Sequence, residues 1–299
     1  MSKLFDILNR SDGEIADLVR PLADAAEGAA PQAVAPAGGT AQAPAGTALN
    51  GAAAVLGQVR KVTLRVPAPS PLLPFEDAHQ RPSEQYRMLR TKLSQHPKQP
   101  RVIVISSPTA GDGKSVSAIN IAAALSLKSE AQVLLVDADL RKSAIHVDLG
   151  LPASPGLSEV LKGACTFEEA LVHTQEFPNL FVLTAGTPPE NPVELLDSPQ
   201  WESMFQKLRG LFRYVVLDSP PVGAVADYDL IQAVSDGVAL VMRPDHTRRE
   251  LCKKALESVP KGKLLGVVLN CVPDWSLARH GGSDYYYYSG AYAYRAAKP

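Results

Sequence analysis

From about residue 100 onward the chain is punctuated by six short apolar runs rich in β-branched residues, at 102–105, 133–136, 180–183, 215–217, 238–241 and 264–269. Each is too short for a typical helix and nearly continuous, without the alternation of a strand that has one face in water. Helical stretches, 116–127 among them, lie between most of the runs. Buried strands separated by helices predict an α/β fold, a mostly parallel sheet with helices on both faces. Just upstream a helix is expected over 83–95, with Glu84, Arg87 and Arg90 spaced three apart on one side.

The first third of the chain has a different texture. Leu4, Phe5, Ile7 and Leu8, then Ile15, Leu18, Val19 and Leu22, recur at helical spacing, and Ser11 with Glu14 has the spacing of a capping box. The charges around them are mixed in sign, which favours docking on a protein partner over lying on anionic lipid; a frayed extension is the bland alternative. Residues 23–58 are dominated by Ala, Pro and Gly, and 64–82 add further prolines, so little there offsets the entropy of ordering. The expected organisation is a short helical extension over 1–22, a linker over 23–81, a catalytic domain over 82–280 and a flexible tail over 281–299.

Bulk charge narrows the function classes. A net charge of −1 over 299 residues gives no general attraction to nucleic acid or anionic membrane. Cys165, Cys252 and Cys271 are far apart in sequence and suggest neither a disulfide framework nor a zinc site, which fits a reducing cytoplasm. No apolar run approaches the roughly 18–20 residues that cross a bilayer, so work at a membrane would need another chain to hold the protein there.

The candidate chemistry lies where strands end. The first run leads into Ser106-Ser107-Pro108-Thr109-Ala110-Gly111-Asp112-Gly113-Lys114-Ser115 and then directly into a helix. A glycine-rich turn in that position lets backbone N–H groups wrap a polyphosphate, with the helix N-terminus adding partial positive charge. Gly111 and Gly113 supply close backbone approach, Lys114 a solvent-facing cation for the β- and γ-phosphates, and Ser115 a hydroxyl ligand for Mg²⁺. The pattern G-x-x-x-x-G-K-[ST] lacks its first glycine, because Pro108 stands there. Two further strands end in acids, Asp137 with Asp139 and Asp218, on the edge where open α/β sheets bind ligands. Such carboxylates can hold the hydration shell of Mg²⁺, and one can accept a proton from a nucleophile; a capping acid at the start of a loop is the plain reading of each alone.

The C-terminus is the most biased stretch. Six of the nine tyrosines, Tyr285, Tyr286, Tyr287, Tyr288, Tyr292 and Tyr294, fall in the last 15 residues, flanked by glycines. A flexible acceptor tail and an aromatic stacking or aggregating tail are both compatible with that composition.

Together these pieces resemble the bacterial tyrosine kinases (BY-kinases) of polysaccharide export and chain-length control. The resemblance covers about residue 82 to the end. It rests on an ordered set: the E-x-x-R-x-x-R helix of Glu84, Arg87 and Arg90, the loop ending Gly113-Lys114-Ser115, the D-x-D-x-R element of Asp137, Asp139 and Arg141, the D-x-P-P element of Asp218, Pro220 and Pro221, the stretch Gly186-Thr187-Pro188-Pro189-Glu190-Asn191-Pro192-Val193-Glu194-Leu195-Leu196, the strand Gly266-Val267-Val268-Leu269-Asn270, and the tyrosine tail. It implies a P-loop NTPase fold binding ATP and Mg²⁺ through Gly111, Asp112, Gly113, Lys114, Ser115 and Val116, with Asn270 a candidate adenine contact. It further implies Lys114, Asp137, Asp139 and Asp218 as catalytic residues and Ser115, Asp137 and Asp218 around the metal, without deciding which Asp is the general base. Transfer of the γ-phosphoryl group to tail tyrosines of a neighbouring subunit is then expected, in a homo-oligomeric ring whose interface includes Glu84, Arg87 and Arg90. A separate membrane-spanning activator, a protein-tyrosine phosphatase and a place at the inner face of the membrane come with the same resemblance. Nucleic acid is not an expected partner. Two other readings compete: a positioning ATPase similar to MinD- and ParA-type proteins, and a nucleotide-gated scaffold whose tail is a docking peptide. A second lysine near the start of the phosphate loop, where Thr109 stands, would favour the ATPase.

Overall fold

The structure, a computed structural model, describes residues 56–57, 59–67, 80–128 and 131–272. The described elements lie in the compact unit Pro44–Asn270; of the second unit, Met1–Ala43 with Cys271–Pro299, only Cys271 and Val272 are described. The helical extension over 1–22 and the tyrosine tail therefore lie outside the described residues.

Eight strands form one sheet: β1 (Arg60–Val62), β2 (Val102–Ser106), β3 (Val133–Asp137), β4 (Val172–Thr174), β5 (Leu180–Leu183), β6 (Tyr214–Asp218), β7 (Gly237–Met242) and β8 (Leu264–Leu269). Their spatial order is β1-β4-β5-β3-β6-β2-β7-β8, and every neighbouring pair is parallel except β4 with β5. All six apolar runs of the sequence are strands here. The two additional strands sit at one margin, and β1 falls within the stretch that composition assigned to the linker. Arg60–Val62 pairs in register with Val172–Thr174, so this part of the expected linker joins the sheet as its edge.

Alternation along the central strands sorts their side chains into two cores, as the period of two requires. Val102 and Val104 of β2 face one way with Leu134, Phe181, Trp201, Phe205 and Phe212. Ile103 and Ile105 face the other way with Leu135, Ile119, Ile121 and Leu125. The second core is closed by α2 (Lys114–Ser126), and α1 (Gln80–Ser94) packs on α2 from outside. That double coverage explains why α2 reads as alanine-rich and apolar all round instead of amphipathic, with every residue from Ser117 to Ser126 buried. The opposite face carries α7 (Pro199–Leu211), whose Ser198 caps the helix by accepting the Trp201 N–H.

This architecture places three strand ends side by side. Asp137 of β3 is the register partner of Asp218 of β6, and Asp218 in turn is level with Ile105 of β2, one residue before the turn into the glycine-rich loop. Neighbouring strands in a sheet lie about 4.8 Å apart, so carboxylates at these positions are forced together.

Candidate active site

The loop between β2 and α2 is shaped as much by side chains as by glycine. Gly111 and Gly113 have φ of 91° and 88°, a region that L side chains avoid, and Gly113 is the N-cap of α2. The first glycine of the usual pattern is replaced by Pro108, and here Asp112 shapes the turn in another way. Its Oδ2 accepts the Thr109 N–H at 2.9 Å and the Thr109 hydroxyl at 3.0 Å, closing the 109–112 turn from inside. Ser106 and Ser219 stitch the strand below to the neighbouring D-x-P-P element, donating to the Pro220 and Ile105 carbonyls respectively.

Lys114 is not solvent-facing. Its side chain is 11% exposed, and Nζ sits 2.9 Å from Asp139 Oδ2, 3.4 Å from Asp218 Oδ1 and 3.2 Å from the Ser115 hydroxyl. Burial works against the ammonium, but Asp218, Asp139 and Asp137 outweigh it and hold its pKa above the usual lysine value. The acids respond in the opposite sense. Asp137 is raised above the ordinary carboxylate range by burial and by Asp218, although the Ile145 N–H and Lys114 pull it back. Asp218 is also raised, by burial first, against the opposing pull of Lys114 and the Ser115 hydroxyl.

One oxygen of each of these two acids is committed and one is not. Asp137 Oδ2 accepts the N–H groups of Ala144 and Ile145 at 3.1 Å each, while Asp218 Oδ1 takes Lys114. Asp137 Oδ1 and Asp218 Oδ2 are buried with no hydrogen-bond partner. Buried carboxylate oxygens without donors are rare in folded proteins and call for a ligand. Among the described residues no three His, Cys, Asp or Glu side chains form a ready cage for a cation. Mg²⁺, which keeps much of its water and is usually held by one or two carboxylates plus phosphate oxygens, is the ion whose needs this set meets. Asp137, Asp218, Ser115 and the loop fit a magnesium nucleotide.

Known proteins similar to this chain identify its family. Residues 100–259 match the AAA domain family. Tyrosine-protein kinase YwqD of Bacillus subtilis is 37% identical over 210 residues, covering 69% of this chain and 86% of that protein. A putative tyrosine-protein kinase, CapB of Staphylococcus aureus, is 31% identical over 225 residues, covering 74% and 96%. The crystal structure of the chimerical protein CapA2B2 superposes with a TM-score of 0.65 at 31% identity, over 75% of this chain and 99% of that one. The chain belongs to the bacterial tyrosine-kinase family. It is thus an enzyme of the protein-tyrosine kinase class on a P-loop NTPase fold.

Within this kinase the sequence-identified residues divide into those the fold gathers and those it separates. Gly111, Asp112, Gly113, Lys114, Ser115, Asp137, Asp139 and Asp218 converge at one edge of the sheet, with Val116 in the first turn of α2. Asn270, just past β8, also reaches the loop: its Nδ2 donates to the Asp112 carbonyl at 3.0 Å. Glu84, Arg87 and Arg90 lie apart on α1, where exposed Arg87 and Glu84 form an i, i+3 ion pair at 2.9 Å. The six tail tyrosines fall outside the described residues.

Two contributors went unnoticed in the sequence. Thr247, in the connection between β7 and α9 (Arg249–Ser258), donates its hydroxyl to Asp112 Oδ1. Asp227, fully buried at the start of α8 (Asp227–Ala233), takes Arg141 in a two-point pair at 2.9 and 3.0 Å. That pair ties the D-x-D-x-R element to the loop after β6. Arg141 carries the only local signal, since an arginine fork wants a carboxylate; nothing near Asp227 in sequence marks it.

Proposed function

We propose that this kinase phosphorylates tyrosines of its own C-terminal segment, Tyr285, Tyr286, Tyr287, Tyr288, Tyr292 and Tyr294, between subunits of a homo-oligomeric ring. The observation that carries the reading is the buried cluster of Lys114 with Asp139, Asp218 and Asp137 beside a phosphate loop, in a chain whose relatives are named tyrosine kinases. In the reaction the bond from the γ-phosphorus to the bridging oxygen of ATP breaks, a bond to the phenol oxygen forms, and the phenol proton passes to a carboxylate. Lys114 and the loop amides hold the phosphate oxygens as charge shifts to the leaving group. Asp137 and Asp218, each raised in pKa and each with an uncommitted oxygen, are suited to accept a proton or orient water. Bound Mg²⁺ supplies neutralisation of charge on the β- and γ-phosphates, with Ser115, Asp137 and Asp218 as its protein neighbours.

Family membership supports the wider setting: control of polysaccharide synthesis and export, a separate membrane-spanning activator, a phosphatase that resets the tail, and a place at the cytoplasmic face of the membrane through that activator. Among the described residues no helix is long and apolar enough to cross a membrane.

The deciding experiment mixes two inactive halves. A chain truncated after Gly282 keeps the site and loses the acceptors; a Lys114→Met full-length chain keeps the acceptors and loses the site. Incubated together with Mg-ATP, they should yield phosphotyrosine on the full-length chain, mapped by mass spectrometry to 285–294. Labelling only in chains that carry both parts would overturn transfer between subunits, and no phosphotyrosine in the intact protein would overturn the tail as acceptor.

The ring has a separate handle. Arg87→Ala with Arg90→Ala removes two helix charges, of which Arg87 makes an exposed i, i+3 pair with Glu84 worth roughly 0.2–0.5 kcal/mol to stability. The double variant should melt within a few degrees of the parent and bind ATP equally well, yet show a smaller mass by light scattering and lower labelling between chains. Unchanged mass would make α1 an ordinary solvated face.

A further inference from the structure

The residue between the two glycines of the phosphate loop is an acid, although the loop is built for an anion. Asp112 is fully buried, and its hydrogen bonds come from neutral groups, the Thr109 N–H and hydroxyl and the Thr247 hydroxyl. His246 Nε2 stands 3.9 Å from Asp112 Oδ1 and 3.3 Å from the Ala110 carbonyl. A carboxylate beneath a polyphosphate site opposes binding by charge, so its contribution has to be one of shape.

The shape is held from two directions. Thr247 grips the Asp112 carboxylate, and its hydroxyl oxygen also accepts the Arg243 N–H at 3.4 Å, just past the end of β7. Asn270 grips the Asp112 backbone carbonyl, and its own N–H donates to the Met242 carbonyl at 2.8 Å, at the last residue of β7. Both grips therefore start from the carboxyl ends of β7 and β8, which the sheet keeps in place. The peptide between Asp112 and Gly113 is trans, so its C=O and N–H point in opposite directions. Fixing the carbonyl toward Asn270 fixes the Gly113 N–H on the other side, as a nest of amides around a phosphate requires.

We propose that Thr247 and Asn270 are positioning residues that latch the phosphate loop through Asp112, orienting the Asp112–Gly113 peptide for the phosphates of the nucleotide. This rests on the phosphate-loop part of the reading above and assigns Asn270 to the phosphates in place of the adenine. Neither residue is a catalytic residue in the sense of touching the reacting atoms.

The test separates phosphate from base by using a ligand that has no base. Binding of Mg-ATP and of magnesium tripolyphosphate is measured by calorimetry on the intact chain and on the Thr247→Val, Thr247→Ser and Asn270→Asp variants, with Asn270→Ala as the alternative should the aspartate variant not fold. Losing one oriented hydrogen bond at the loop should weaken ATP and tripolyphosphate by the same factor, about tenfold, in Thr247→Val and in the Asn270 variant. Thr247→Ser, which keeps the hydroxyl, should bind like the parent. If the Asn270 variant loses ATP affinity and keeps tripolyphosphate affinity, Asn270 serves the base and the latch is wrong. Equal affinities for Thr247→Val and the parent would also overturn it, as would failure of serine to restore binding. An intact chain that binds both ligands but labels no tail tyrosine would overturn the proposed tail acceptor and leave the latch standing; a chain that binds neither would overturn the phosphate-loop reading and the latch with it.

Discussion

Lys114→Met should abolish phosphotyrosine formation, by a factor on the order of 10³ for loss of a charged group aimed at the developing charge. The same substitution should also lower thermal stability, which a solvent-facing lysine would not have done. The Lys114 ammonium is the partner of Asp139 and Asp218, both buried, and methionine leaves those carboxylates without it. Breaking a buried ion pair costs about 3–5 kcal/mol when the remaining charge has no remedy. Here a remedy exists, because Asp218 and Asp137 already have raised pKa values and can take up a proton instead of remaining charged. The cost should therefore fall below that range, with a melting temperature lower by roughly 5 °C. Far-ultraviolet circular dichroism and a melt, set beside an anti-phosphotyrosine blot, check both halves. Retained labelling would remove Lys114 from the chemistry, and an unchanged melting temperature would contradict the buried cluster.

The same cluster sets what the proposed nucleotide site would exchange. Lys114 Nζ lies 2.9 Å from Asp139 Oδ2. On the role proposed for Lys114, phosphates would replace these carboxylates as its negative partners. Asp137 Oδ1 and Asp218 Oδ2 hold no hydrogen-bond partner and suit a cation. Lysine, acids and metal thus form one electrostatic unit, and changing any member should alter affinity for the others.

What the sequence disclosed follows from how far apart the cooperating residues are. The strands β2, β3, β5, β6 and β7 were legible because each is buried on both faces and must be apolar throughout, and β8, half-buried at the edge of the sheet, is nevertheless a continuous apolar run. The strand β4 was not, because His173 and Thr174 interrupt its apolar character. Nor was β1, three partly exposed residues emerging from proline-rich chain, whose identity as a strand comes entirely from β4 beside it. In the site, Gly111, Gly113, Lys114 and Ser115 declared themselves by local spacing, and Asp137 and Asp218 by standing at strand ends. Their closeness needed the sheet order, which brings β6 between β2 and β3. Thr247 gave no sign, and Asn270 stood out only through the family resemblance and only for the adenine, since the two meet Asp112 across separations of 135 and 158 residues. The burial of Lys114 was likewise hidden, because its partners come from two strands on the same side of β2.

Gly113→Ala should remove nucleotide binding more completely than any other single methyl addition in the loop, for two separable reasons. The first is conformational. Gly113 has φ 88° and ψ 26°, and a left-handed backbone costs an L residue about 1–2 kcal/mol. The second is contact. A Cβ built on Gly113 would lie 2.0 Å from Asn270 Nδ2, so the amide must move, and it cannot move without releasing the Asp112 carbonyl. At Gly111, where φ is also positive, the nearest atom is His246 Nε2 at 3.1 Å, on an exposed side chain able to yield. Gly111→Ala should therefore be the milder change. For Gly113→Ala the expected result is a loss of ATP affinity on the order of 10²-fold, as for a displaced positioning group, with a melting temperature lower by roughly 5 °C. Adding Asn270→Ala to it removes the collision and leaves the backbone penalty. The double variant should recover part of the lost melting temperature while its ATP affinity stays low, because the carbonyl grip is then missing by design. If the double variant is no more stable than Gly113→Ala alone, the two side chains do not collide and the close approach of Asn270 to the loop is wrong.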